Sequence, residues 1–403
     1  MTGRLALQTQ LDTAVELRTL TLVQGLPRVG RSRLIAEWMD RRTDAAFCAD
    51  LAMMPKSDGV FVLDHLGQNG VEALVAAVRT ADVAGGRTRY VAAPADLATS
   101  IALRDLLTGG FATIDVMPLR LDEIEYPVTS LSIAMGPLAA TAVPFDAQPE
   151  SGPDPRRHWL RGGFPESLAA SSDAASLKWR RELLEQLLER DYRRLGLPPG
   201  YPLLDVLHWL ARRNSAEMDE TTNQFGKRTE LKSAVFVLEK LGIIRRLKNI
   251  AALDHPEDLL MDKLFVRDTG LLHALVGVVT SEHLDRYGAI GASFESYAIE
   301  SLTAAAGADC GAQFYRFNNG NGDDEIDLIL DFPVQAGRRI AIEFKVGPTK
   351  KAEPGFFRAC NLLGIEEQLV VHAGSEPYLS ERVPRYDLRS AMKRIAEIAA
   401  GGQ

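Results

Sequence analysis

The chain has 403 residues, 46% of them hydrophobic and 25% charged, with a net charge of −8. That length predicts two to three domains, and the composition is that of a globular chain and not of a disordered or membrane one. No apolar run reaches the roughly 18 residues of a membrane span, and MTGRLALQTQ has no secretory pattern, so a cytoplasmic protein without a membrane partner is expected.

The opening 130 residues alternate between strand and helix patterns. Thr19 to Gln24 is a short apolar run that ends in a glycine-containing turn, and Arg31 to Arg42 follows with Leu34, Ile35, Trp38 and Met39 at helical spacing. Gly59 to Asp64 is a second strand, with a helical stretch from Val71 to Ala81. Arg89–Ala93 and Ala112–Val116 read as further strands. This order predicts an α/β parallel sheet over residues 1–145.

The first turn carries Gly25-Leu-Pro-Arg-Val-Gly30-Arg31-Ser32 between a strand and a helix. A G-x-x-x-x-G-K-[ST] loop uses that context to aim backbone N–H groups at phosphates. Gly25, Gly30 and Ser32 match, but Arg31 stands where lysine is expected, and a guanidinium places its donors differently. A turn that binds nothing is the alternative. Val60 to Asp64 is an apolar strand ending in Asp64, suited to holding Mg²⁺ opposite Ser32, and His65 follows it.

Pro144 to Pro155 reads as a linker. Ala175 to Leu195 is an amphipathic helix within a helical segment, 156–200, closed by Gly196 and a Pro-Pro-Gly turn. Residues 201–285 contain short helices and a helix-to-strand transition at Ala234–Arg246, a pattern that suits a winged helix with Val235, Phe236, Leu238 and Leu241 as its core. Between Ser151 and Ile250 there are 18 Lys+Arg against 13 Asp+Glu. This basic middle fits either a polyanion contact or a set of solvated helix faces. In the first case Lys227, Arg228 and Lys232 face nucleic acid, and Arg245, Arg246 and Lys248 form a wing against phosphate.

The last domain, 286–403, opens with a helix from Phe294 to Ala305. Strand runs follow at Phe314–Phe317, Ile326–Leu330, Ile340–Phe344 and Gln368–His372. Glu295 lies on the helix, Asp327 on a strand, and Glu343 and Lys345 share one face of the next strand because strand side chains alternate. Asp327 and Glu343 can hold Mg²⁺, with Lys345 orienting water or phosphate. A surface ion pair is the alternative for Glu343 and Lys345. Cys48, Cys310 and Cys360 and the seven histidines are scattered, which predicts no disulfide framework and no structural metal site.

Taken in order, these features resemble the prokaryotic AAA-type ATP-binding proteins that end in a restriction-nuclease-like domain of unknown function. Met117-Pro-Leu-Arg-Leu-Asp-Glu-Ile, Trp159-Leu-Arg-Gly-Gly-Phe-Pro-Glu166, Glu189-Arg-Asp191 and Lys263-Leu-Phe-Val-Arg-Asp-Thr-Gly-Leu-Leu272 are similar to segments of that family. The helix Glu, strand Asp and E-x-K order resembles the PD-(D/E)XK nuclease superfamily. The resemblance implies ATP or another nucleotide at the loop, Mg²⁺, and a nucleic-acid partner, DNA before RNA, in a monomer or oligomer. The ATPase half departs from the family at Arg31, His65, Ala92-Ala93-Pro94 and Gly110-Phe111. The expectation is therefore weak nucleotide binding without hydrolysis. Function is either a Mg²⁺-dependent phosphodiester hydrolase at the C-terminal domain or a non-catalytic nucleotide- or DNA-responsive binding protein.

Overall fold

A computed structural model describes residues 4–49, 58–107, 109–124, 154–190, 202–218, 228–250, 261–318, 323–335, 337–374 and 383–401. Most of the expected linker at 144–155 lies outside these residues, as do Asp191, the Pro-Pro-Gly turn and Lys227. Among the described residues no helix is long and apolar enough to cross a membrane.

The N-terminal region contains α1 (Leu5–Leu17), β1 (Leu20–Gln24), α2 (Arg31–Met39), β2 (Ala45–Phe47), β3 (Val60–Leu66), α3 (Val71–Ala84), β4 (Arg89–Pro94), α4 (Leu97–Leu106) and β5 (Phe111–Asp115). The strands form a parallel sheet in the order β2-β3-β4-β1-β5. Leu20, Leu22 and Val23 of β1 are fully buried, because a central parallel strand is covered on both faces. The chain leaves β1 at the carboxyl edge of the sheet, where open α/β sheets present their loops to ligands. Helices α1 and α4 and the short β2 are additions to the elements expected from the sequence.

Three helices follow, α5 (Pro155–Arg161), α6 (Pro165–Ala169) and α7 (Asp173–Glu185), the last continuing as a π-turn through Gln186–Arg190. Next come α8 (Leu203–Ala211), β6 (Glu217–Met218), α9 (Arg228–Lys240), β7 (Ile244–Asn249), β8 (Asp262–Val266), α10 (Thr269–Val276) and α11 (Ser281–Asp285). The C-terminal region contains α12 (Ile290–Ala306), β9 (Gly311–Asn318), β10 (Asp323–Phe332), β11 (Arg338–Lys345), α13 (Pro354–Leu363), β12 (Glu367–His372), β13 (Arg385–Asp387) and α14 (Leu388–Ala399).

One eight-stranded sheet, β13-β12-β11-β10-β9-β7-β8-β6, runs through both of these regions. The link is a parallel pairing of β7 with β9, Lys248 opposite Gln313 and Asn249 opposite Phe314. Residue 285 thus divides the chain but not its sheet. It also makes β7 an interior strand, with β8 antiparallel on its other side. In α9, Val235 and Leu238 are buried as expected, but Phe236 is 58% exposed, since one helical step turns it about 100° from Val235.

Three of the short segments quoted above, 117–124, 159–166 and 263–272, meet at one junction. Gly163 donates to Asp268 Oδ2 at 2.8 Å, and its carbonyl accepts from Leu119 N at 2.7 Å. A Cβ on Gly163 would stand 2.2 Å from Leu119 O, and one on Gly270 would stand 2.1 Å from Arg161 O. Glycine is needed at both positions for close backbone approach. Arg180 is fully buried beneath them and donates to the carbonyls of Leu160 and Gly270. The junction fastens the N-terminal domain to the helices and to α10.

Candidate functional site

The phosphate loop is built as the sequence suggests. Gly25, at φ +148°, sits where a Cβ would lie 2.2 Å from Val116 O, and Gly30, at φ +95°, caps α2 in the left-handed region. Its side chains are turned to other uses. Arg31 Nη1 donates to Pro94 O at 2.7 Å, so the group at the lysine position is tied to the end of β4. Burial lowers the Arg31 pKa, with Asp64 opposing. Ser32 Oγ lies 3.4 Å from His65 Nε2, and Asp64 Oδ1 accepts from the His65 backbone N–H at 3.0 Å. His65 holds a left-handed φ of +56°, which costs energy for a side chain with a Cβ. Ala92 and Ala93, where the sequence departs from the resembled family, are buried in the sheet.

Arg4 brings a second guanidinium that no motif signalled. Its Nη2 donates to Met117 O at 2.8 Å. Its Nη1 lies 3.8 Å from where a Cβ on Gly30 would stand, buried and without a protein partner. A cleft of about 680 Å³ opens beside the loop, with Gly25, Arg31 and Pro94 on one wall and Phe236 and Lys240 on the other.

The C-terminal site gathers its residues from three elements. Glu295 comes from α12, Asp327 from β10, and Glu343 and Lys345 from β11. Antiparallel pairing of β10 and β11 starts at Leu328 opposite Ile342, and just beyond it Phe344 N donates to Asp327 Oδ2 at 2.8 Å. Lys345 Nζ lies 2.8 Å from Glu343 Oε1 and 3.5 Å from Glu353. Ile342 and Phe344 turn into the core, as strand alternation requires.

Charge accumulates there. Burial, then Glu343 and Glu295, raise the Asp327 pKa well above the usual carboxylate range, with Lys263 opposing. Asp327 lies deep in the molecule, although its side chain keeps some solvent access. Burial also raises the pKa of Glu343, and Lys345 pulls it back. Among the described residues no group of three or more His, Cys, Asp and Glu side chains is arranged to hold a metal. Asp327 and Glu343 are the pair that could hold a cation, and Mg²⁺ commonly takes one or two carboxylates with waters or phosphate oxygens for the rest.

Two members of this site were missed in the sequence. Lys263 of β8 bonds both Glu295 (3.1 Å) and Glu325 (2.8 Å), and Ser215 Oγ donates to Glu295 Oε2. The available signal was a lone lysine heading the apolar run Leu264-Phe-Val266.

The basic groups of the middle are largely committed inside the fold. Arg245 bonds Glu300 on α12, and Arg246 bonds Glu239 and Asp262. Neither extends from a free wing, because β7 is flanked on both sides. Lys232 and Lys248 are exposed. The side chain of Arg228 and the whole of Lys227 lie outside the described set.

Residues 152–282 match the model of a domain of unknown function (DUF8612), and residues 290–388 match that of another (DUF4143). Lys263 falls in the first match and the four acids in the second. Uncharacterized proteins of Mycobacterium bovis and Mycobacterium tuberculosis are each 29% identical over 234 residues, 56% of this chain and 51% of each relative. The chain thus spans about half the length of these curated relatives. A Walker-type ATPase of Pyrococcus abyssi aligns over 68% of this chain and 96% of its own, at 14% identity and a TM-score of 0.43.

Proposed function

We propose that the C-terminal site is a divalent-cation-dependent site that cleaves phosphodiester bonds in nucleic acid, and that the N-terminal domain binds nucleotide without hydrolysing it. One observation carries the first part: Asp327 and Glu343 stand on neighbouring antiparallel strands with the Lys345 ammonium 2.8 Å from Glu343. Asp327 and Glu343 would hold Mg²⁺, which when bound supplies neutralisation of the phosphate charge. Glu343 holds Lys345 charged and in place to meet a phosphate oxygen, while Glu295 is kept aside by Lys263 and Ser215. The exposed Lys232 and Lys248 would add a modest, salt-sensitive contact to the backbone of DNA.

For the N-terminal part, the buried unpartnered Nη1 of Arg4 beside Gly30 supports anion binding at the loop. The commitment of Arg31 to Pro94 O and the histidine at position 65 support the absence of hydrolysis. The test is incubation with DNA and with RNA in Mg²⁺ or Mn²⁺, comparing the parent chain with Asp327→Ala and Lys345→Ala. Equal cleavage by all three would reject the site.

A second reading is a non-catalytic nucleotide- or DNA-responsive binding protein. It is favoured by the internal neutralisation of the acids, since Lys263 and Lys345 already pair with three of the four. Binding without cleavage in the same assay would establish it.

A further inference from the structure

Lys263 reaches the acidic cluster from β8, outside the elements that supply the acids. Its side chain is 3% exposed, and its ammonium lies between Glu295 and Glu325, at 3.1 and 2.8 Å. The same nitrogen stands 4.9 Å over the Phe314 ring, a face that attracts cations. An ammonium with three donors and no acceptor can be buried as a charge only where acids and π-faces enclose it. The acids here are Glu295, Glu325, Asp327 and Glu343, against Lys263, Lys345 and, at 3.8 Å from the other oxygen of Glu325, Arg316. Ser215, in a left-handed φ of +70°, closes the other oxygen of Glu295, so the middle of the chain grips that carboxylate from two sides.

We propose that Lys263 is a built-in cation that fills one half of the acidic site and confines a divalent ion to Asp327 and Glu343. This rests on the metal reading of that pair and goes beyond it, because it assigns Lys263 as a positioning residue contributed by a different part of the chain. A guanidinium at position 263 would keep the charge, whereas a neutral side chain would leave Glu295 and Glu325 open to a second ion.

The test titrates the full-length chain with Mn²⁺ and follows the free ion by electron paramagnetic resonance. Loss of a bound ion in Asp327→Asn checks the metal reading separately. Lys263→Met should bind one ion more than the parent chain, the extra ion disappearing when Glu325→Gln is added, and Lys263→Arg should match the parent. A folded Lys263→Met chain with unchanged stoichiometry overturns the inference, whether or not the parent binds metal. Should Lys263→Met fail to fold in metal-free buffer, recovery of its circular-dichroism melt by millimolar Mn²⁺ supports the inference and lack of recovery overturns it.

Discussion

The phosphate loop and the carboxylate site hold their charged groups in different surroundings. At the loop the polar side chains satisfy the protein itself: Arg31 is held by a carbonyl, Ser32 faces His65, and Asp64 accepts from the neighbouring backbone N–H. At the C-terminal site four acids crowd around Lys263, Lys345 and Arg316, and Asp327 has its pKa driven up by burial and by Glu343 and Glu295. The loop keeps its shape because glycines and backbone hydrogen bonds make that shape, without help from the reactive groups. The C-terminal site is made of side chains from separate elements that bond one another. A phosphate-loop contour is therefore weaker evidence of activity than a buried excess of like charge.

The largest effect expected from this contrast is on cleavage. Asp327→Ala removes one of the two groups left for a cation, and metal stabilisation is worth several kcal/mol. Cleavage should fall by about 1,000-fold, roughly 4 kcal/mol at the barrier, in a gel assay of labelled DNA with Mg²⁺. A loss smaller than tenfold would put the two regions on an equal footing.

Next in size is a stability effect that sharpens the comparison, because it separates structural charge from poised charge. Glu300 sits on the same helix as Glu295. Burial raises its pKa, but Arg245 and Arg267 overcome that and bring it down to about 2. A folded pKa below the unfolded value means that the stabilisation is present above the ordinary glutamate range and is lost as pH falls towards 2. Glu300→Gln should cost about 3 kcal/mol at pH 7 by leaving two arginines without their acid. In a urea melt the gap to the parent chain should close as the pH is lowered.

Asp327 has the opposite sign. Its folded pKa is raised, so in metal-free buffer ionising it destabilises the fold as pH rises through that value. Asp327→Asn keeps an acceptor for Phe344 N and removes the cost. Its Tm should exceed that of the parent chain by a few degrees at pH 8. The two should converge below about pH 4, where an ordinary carboxylate is protonated. An unchanged Tm at pH 8 would mean that the cluster is neutralised in a way the geometry does not show.

Much of both sites was legible because their signals are local. Two glycines at fixed spacing mark a turn, and period-two alternation puts Glu343 and Lys345 on one face. What escaped depends on partners distant in sequence. Lys263 meets Glu325 across 62 positions, and the parallel pairing of β7 with β9 joins segments more than 60 residues apart. Arg245 and Arg246 likewise find their acids on other elements, Glu300 of α12 and Asp262 of β8. Phe236 was placed in a core on composition, although its step from Val235 aims it at the cleft. Local periodicity carries no information on which strands from separate segments will neighbour each other.

The smallest effect expected is at Asp64, and it bears most directly on the contrast. In a working loop an acid at the end of β3 holds Mg²⁺ opposite the loop serine, and its loss removes turnover. Here that acid is turned to the His65 N–H, and the serine faces the His65 imidazole. His65, in a left-handed backbone conformation, places its imidazole beside Ser32. Asp64→Ala should therefore leave phosphate release from ATP at the background of the parent chain, within about twofold, in a malachite-green assay. Nucleotide affinity should change as little, because the anion contact rests on backbone N–H groups and Arg4. A clear ATPase rate in the parent chain that Asp64→Ala abolishes would return the chemistry to the N-terminal half. The tie between Arg31 and Pro94 would then be a resting state that nucleotide breaks.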